Sequence, residues 1–284
     1  MLRRTKQTGA PDFVGVGIEL AGTVWWMRLL KRHPQIVGPR GGRVGTQYFR
    51  EFCGREMTED EVADYHSRFP RRPGQIAGEF CNRYSFEVWA IPLIARTAPD
   101  AKLVLVLRDP IDIYARILGF RLAKRSARFS RAAPDETIYM TEIVHRARFG
   151  AQLRTLTQLF DRDRILVLQM ERILRDPVGQ YRRTCRFLGV SDDYVPRALK
   201  REAYTGSGPL EHARVFRPLG LPPWVNLRPL KQLLGRPVAR DAALWQDIDA
   251  SLHAELDPEV EALLAYRPGF DMSLWRNFAH LPSA

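Results

Sequence analysis

The sequence predicts an α/β fold, a parallel central sheet flanked by helices, and three observations carry that expectation. Apolar runs short enough for buried strands, Asp12–Ile18, Lys102–Leu107 and Ile165–Leu168, alternate with stretches of helical periodicity. A strand, a helix and another strand in succession imply parallel βαβ units, because parallel neighbours need a long crossover. At 284 residues, 45% of them hydrophobic, the chain suits one large core rather than two. Residues 1–11 are expected to be a flexible tail and residues 12–284 a single domain.

In chain order, Asp12–Ile18 is β-branched and glycine-rich and reads as the first strand. Gly22 and Thr23 make a tight loop, after which Trp25, Trp26, Leu29 and Leu30 recur at helical spacing until Pro34. Arg40–Gly45, with three glycines, is a loop. Thr58 with Glu61 three residues on forms a capping box for a helix through about Arg68. Ser85–Thr97 reads as a helix perturbed at Pro92. Lys102–Leu107 is the clearest buried strand, ending in Arg108-Asp109-Pro110, with a helix expected from Ile111 to Phe129. A long helix is expected from Asp135 to Phe160, then the strand Ile165–Leu168. A helix follows from Pro177 to a cap at Gly189. Residues 206–237, rich in proline and glycine, read as a loop or lid. Two closing helices are expected, Asp241–Leu256 and Pro258–Tyr266.

A formal net charge of +12 favours anionic partners such as phosphates, sulfates or acidic glycans. The arginines are dispersed, and no nucleic-acid signature accompanies them. Three distant cysteines, Cys53, Cys81 and Cys185, form no CxxC and suggest neither a disulfide framework nor a zinc site, so a cytoplasmic setting without a metal is expected. No apolar run reaches membrane-spanning length, and the polar, basic start of the chain does not read as a signal peptide.

Three segments then resemble sulfotransferases that use 3′-phosphoadenosine 5′-phosphosulfate (PAPS). Pro11-Asp-Phe-Val-Gly-Val-Gly-Ile-Glu-Leu-Ala-Gly-Thr-Val-Trp25, with His33-Pro34-Gln35-Ile36 behind it, is similar to the phosphosulfate loop and its H-P-x-I stop. Gly78-Glu79 to Tyr84, with the strand ending Arg108-Asp109-Pro110, is similar to the G-E-K-x-P-x-Y segment and the R-x-P strand end. Arg164–Leu168, Glu171, Asp176-Pro177 and Phe187-Leu-Gly189 are similar to the third strand and its E-x-x-x-x-D-P and F-L-G close. Phe270–Trp275 resembles the family's C-terminal ending. The resemblance implies a P-loop-like sulfotransferase fold, PAPS as co-substrate, and a small-molecule or glycan acceptor. It leaves a homodimer open.

The resemblance implies a donor site at Gly17, Ala21, Gly22, Thr23 and Val24, with Arg108 on the 3′-phosphate. Glycines let backbone N–H groups face an anion at a helix start. This chain departs from the pattern at several positions. Leu20 stands where the loop lysine is expected, Glu19 for the preceding proline, and Val24 for a hydroxyl residue. Phe80 replaces the second lysine and Asn82 the proline. Arg116 replaces a serine, a change compatible with phosphate binding. Val44-Gly-Thr-Gln-Tyr-Phe49 lacks the glutamate base that many relatives carry. Acid/base chemistry therefore falls to Glu19, Glu79 and His145. Glu79 also reads as a loop-orienting acceptor and Glu19 as one half of a salt bridge; His145, in a stretch that in the family lines the acceptor cleft, reads as a proton shuttle. An enzyme on this fold that does not use PAPS, and a non-catalytic anion-binding relative, stand as alternatives.

Overall fold

The computed structural model describes residues 6–115, 142–201, 242–266 and 269–282. Its centre is a five-stranded sheet in the order β2-β3-β1-β4-β5, every pairing parallel. The strands are β1 (Phe13–Gly17), β2 (Ile36–Val37), β3 (Ile76–Phe80), β4 (Lys102–Leu107) and β5 (Ile165–Gln169). All of β1 and all but the first residue of β4 are buried. Strands covered on both faces read as unbroken apolar runs, which is why these two were legible. Gly15 in β1 lies against the Phe80 ring, whose nearest carbons sit 2.2 Å from where a Cβ would project. No larger residue fits there.

The helices are α1 (Thr23–Leu30), α2 (Glu59–Ser67), α3 (Ala90–Thr97), α4 (Phe149–Leu159), α5 (Met170–Arg175), α6 (Pro177–Leu188), α7 (Arg197–Arg201) and α8 (Ala242–Leu264). α1 buries Trp26, Met27, Leu29 and Leu30 and stops before His33. The His33 ring explains that stop: Nδ1 accepts from Gln35 N (3.1 Å) and Nε2 donates to Ser191 O (2.9 Å). α2 has the expected capping box, with Glu61 N donating to Thr58 Oγ1 (3.3 Å) and Thr58 N to Glu61 Oε2 (2.8 Å). α6 begins at Pro177 and ends at Gly189.

Four expectations need correction. The helix predicted from Ser85 begins at Ala90, because Ser85 N donates to Val16 O (2.6 Å) and draws residues 84–89 into turns over β1. Pro92 then falls in the first turn of α3, where its missing N–H costs nothing. The single helix predicted to end at Phe160 is broken. Residues 142–146 are helical, Arg148 is not (ψ 69°), and α4 starts at Phe149. Both new ends are capped: Gln152 Nε2 donates to Arg146 O across the break (2.7 Å), and Ala151 N donates to Glu259 Oε2 (2.8 Å) on α8, a tertiary contact. The two closing helices are one helix running through Pro258, with Leu252, Leu256, Val260 and Leu263 buried. Burial of that face offsets the hydrogen bond lost at proline. Finally, the predicted tail is tied down at Gln7, which exchanges backbone hydrogen bonds of 2.9 Å with Arg71.

The 206–237 loop or lid, Arg116 and most of the helix predicted beyond Ile111 lie outside the described residues. Cys81 and Cys185 are buried and Cys53 is exposed, all as free thiols. Burial pushes Cys81 up to about 12 and Cys185 to about 11, so neither supplies a thiolate near neutrality. Among the described residues no helix is long and apolar enough to cross a membrane.

Candidate functional site

The C-terminal ends of β1, β3, β4 and β5 gather the polar side chains, as expected for an open parallel sheet. The loop between β1 and α1 is residues 18–22. It is anchored by Ile18 N donating to Val106 O (3.1 Å) and closed by Ala21 N donating to Ile18 O (3.3 Å). Leu20 (φ 63°) and Gly22 (φ 80°) both adopt the left-handed conformation, which turns the chain into α1. Gly22 is the N-cap of α1 and no side chain caps it, so the first-turn N–H groups form a positive helix end. Gly17, Ala21, Gly22 and Thr23 are buried, whereas Val24 is 44% exposed. A Cβ on Gly17 would meet Ser85 Oγ at 2.5 Å.

Leu20 packs against the core, and Phe80 lies over Gly15 and edge-on to Phe13 with only 4% exposure. Neither position brings positive charge to the loop. The charge comes from residues the sequence reading did not single out. Arg146, 5% exposed, places Nη1 2.5 Å from Glu19 Oε2 and Nη2 2.6 Å from Glu142 Oε2. Its guanidinium stands 4.8 Å from the Phe86 ring centroid, and Arg83 stands 5.1 Å from the same ring. Arg83 and Arg50 converge on Glu87 Oε1 at 2.8 and 3.2 Å. Burial works against the Arg83 cation, but Glu87, Glu19 and Glu142 outweigh it and hold its pKa above the ordinary arginine value. Glu19 is thus paired with Arg146, which it shares with Glu142, and lies within electrostatic reach of Arg83.

At the end of β4, Arg108 is 6% exposed. Its Nε is 3.9 Å from Glu171 Oε1, and neither Nε nor Nη1 makes a hydrogen bond among the described residues. Glu171 is otherwise engaged, accepting from Asp109 N (3.1 Å) and Trp275 Nε1 (2.8 Å). Asp109 accepts from Ile111 N (3.1 Å), Asp112 N (3.2 Å) and both Asn277 N (3.2 Å) and Nδ2 (2.9 Å). Burial raises the pKa of Asp109 and of Glu171 above their ordinary values. A buried guanidinium with donors lacking partners is costly in isolation and is suited to an oxyanion.

Glu79 is fully buried at the end of β3. It accepts from Thr46 N, from Thr46 Oγ1 (2.7 Å), from Tyr65 OH (2.9 Å) and from Tyr84 OH (3.3 Å). Burial raises its pKa although these donors oppose the rise. That environment fixes the 44–48 loop on β3. His145 is exposed, and its backbone carbonyl accepts from Arg148 N. The residue of this turn that reaches the β1–α1 loop is its neighbour Arg146. The i,i+4 spacing of Glu142 and Arg146 was visible in the sequence, but nothing there tied the pair to Glu19.

A five-stranded parallel sheet with an uncapped helix start and a buried arginine at its strand ends defines a protein of the α/β class. Residues 46–194, just over half of the chain, match the sequence model of the Sulfotransferase family, and the chain belongs to that family. It is similar to human heparan sulfate glucosamine 3-O-sulfotransferase 6, 27% identical over 190 residues that span 63% of this chain and 52% of the relative. It is also similar to mouse heparan sulfate glucosamine 3-O-sulfotransferase 3B1, 25% identical over 188 residues, 63% of this chain and 46% of the relative. The chain thus spans about half the length of the curated relatives it matches. In fold it is similar to a sulfotransferase from Alicyclobacillus acidocaldarius, with a TM-score of 0.62 and 22% identity over 94% of this chain and 98% of that one.

Proposed function

We propose that this protein transfers a sulfuryl group from PAPS to a hydroxyl or amine of a small molecule or glycan. The observation that carries the reading is Arg108, a nearly buried guanidinium at the end of β4 whose Nε and Nη1 make no hydrogen bond among the described residues. These residues fit the donor nucleotide on its 3′-phosphate side, where the Arg108 guanidinium offers charged N–H donors. On the sulfate side the fit rests on the N-terminus of α1 and on Arg146, since Leu20 and Phe80 carry no charge. The donor supplies an activated sulfuryl group. The acceptor oxygen or nitrogen attacks sulfur in line, the bond to the 5′-phosphate oxygen breaks, and the acceptor's proton passes to a base. All oxidation states are unchanged.

Glu19 is the carboxylate we assign as that base. Its side chain is 31% exposed, and Arg146 orients it at the loop. Glu79, sealed from solvent with four hydrogen bonds, orders the 44–48 loop instead. The PAPS-independent reading draws on a specific observation too: Leu20 and Phe80 bring no cation, and Arg146 is already paired with both Glu19 and Glu142, an unfavourable setting for a phosphosulfate. Calorimetry with 3′-phosphoadenosine 5′-phosphate (PAP), the product nucleotide, decides between them. Our reading expects micromolar binding that weakens at least about thirtyfold in Arg108→Ala, the loss typical of removing a buried charge partner. Absence of PAP binding in the folded wild type contradicts it.

A further inference from the structure

α8 and the C-terminal segment bring together His253, Asp257 and His280. His253 Nδ1 is 2.8 Å from Asp257 Oδ1, and His280 Nε2 is 3.0 Å from Asp257 Oδ2. One ligand atom from each residue can be chosen so that all lie within 4.8 Å of one another. The geometry points to a binding site for a first-row divalent metal ion of the zinc class, held by two imidazoles and one carboxylate.

The placement is a consequence of the fold. His253 and Asp257 are four residues apart on α8, so they share a face one turn apart. That spacing is the one by which two side chains of a single helix grip one ion. The third ligand arrives from a segment whose backbone is already fixed. Phe278 is fully buried, Leu281 N donates to Phe278 O (3.0 Å), and Asn277 is hydrogen-bonded to Asp109. His253 also packs against the Phe278 ring at 5.4 Å and the His280 ring at 5.3 Å.

The chemistry of the set selects the ion. Two neutral imidazole nitrogens with one carboxylate oxygen suit Zn²⁺, Co²⁺ or Ni²⁺, whereas Mg²⁺ and Ca²⁺ prefer oxygen alone. Ligands of a tetrahedral zinc with bonds near 2.0–2.1 Å stand about 3.3 Å apart; the two histidines here are hydrogen-bonded to different oxygens of Asp257 at 2.8 and 3.0 Å, so an ion would replace those hydrogen bonds with a small outward shift of the side chains. The His280 side chain is 50% exposed and those of His253 and Asp257 27% and 29%, which leaves an entry path and room for water on the ion. The other described histidines differ. His33 and His66 are hydrogen-bonded to backbone groups, and His145 stands elsewhere on the surface. Cysteine spacing gives no hint of this site, because its ligands are histidine and aspartate from distant parts of the chain.

Occupancy would clasp α8 to the segment whose Asn277 holds Asp109, next to Arg108. The role is therefore structural, and it stands whether or not PAPS is the donor. The test is titration of chelator-treated, untagged full-length protein with CoCl₂, read by visible absorption, with ZnCl₂ as competitor and thermal unfolding alongside. The expected result is one equivalent of Co²⁺ with a d–d spectrum, displaced by Zn²⁺, and a metal-dependent rise in Tm. His280→Gln, at an exposed position, should weaken Co²⁺ binding at least about tenfold and leave the metal-free Tm unchanged. Asp257→Asn provides a second variant. No Co²⁺ binding by the wild type overturns the proposal. So does binding that survives unchanged in His280→Gln, since the ion would then sit elsewhere.

Discussion

Replacing Glu79 by leucine separates a loop-ordering role from a catalytic one. The substitution strands four donors around a fully buried position: Thr46 N, Thr46 Oγ1, Tyr65 OH and Tyr84 OH. At about 1–3 kcal/mol for each unsatisfied buried group, and allowing for relief of the carboxylate's own desolvation, the net loss should be about 3 kcal/mol or more. Urea unfolding of purified protein measures it. In a Tyr65→Phe/Tyr84→Phe background the same substitution should cost at least about 1 kcal/mol less, because two of the stranded donors are gone. The pH dependence adds a second reading. Burial holds the Glu79 carboxyl above its ordinary value of 4.5, so the native state retains this proton better than the unfolded state. Its contribution is fully present below 4.5 and is lost as pH rises through the folded pKa. Wild type should therefore lose stability relative to Glu79→Gln as pH rises above that value. A Glu79→Leu protein within about 1 kcal/mol of wild type, yet inactive, would refute the reasoning and restore Glu79 as a chemical group.

Three further outcomes are expected. Glu19→Gln removes a negative charge from the loop while leaving Arg146 in place, so PAP affinity measured by calorimetry should rise about three- to tenfold at low salt, and sulfuryl turnover should fall at least about a hundredfold. Gly15→Ala drives a methyl into the Phe80 ring and should cost about 1–3 kcal/mol in chemical denaturation, most of it recovered in Gly15→Ala/Phe80→Leu. Trp275→Phe removes the indole donor to Glu171; it should raise that carboxyl's pKa further and cost about 1–2 kcal/mol, read by denaturation at neutral pH.

The fold was legible because its signals are local. Buried parallel strands such as Lys102–Leu107 are unbroken apolar runs, and the Thr58–Glu61 box and the Pro177–Gly189 helix carry their own end signals. The errors lie where tertiary contact overrides local periodicity. The helix break at Arg148 depends on Glu259, more than a hundred residues away, and α8 continues through Pro258 because its apolar face is covered. The site divides along the same line. Arg108 is recognisable from its position at a strand end. Arg146 acquires meaning only when folding brings it to Glu19, and the convergence of His280 with His253 and Asp257 has no trace in spacing. Phe80 in place of a cation was visible in the sequence, but its burial against Gly15 was not.

A crystal structure of the protein with PAP tests the central claim most directly. The account predicts the 3′-phosphate on the Arg108 guanidinium and the 5′-phosphate over the first N–H groups of α1, with Arg146 still beside Glu19. A loop 18–22 free of nucleotide at saturating PAP, with Arg108 turned fully onto Glu171, would contradict it.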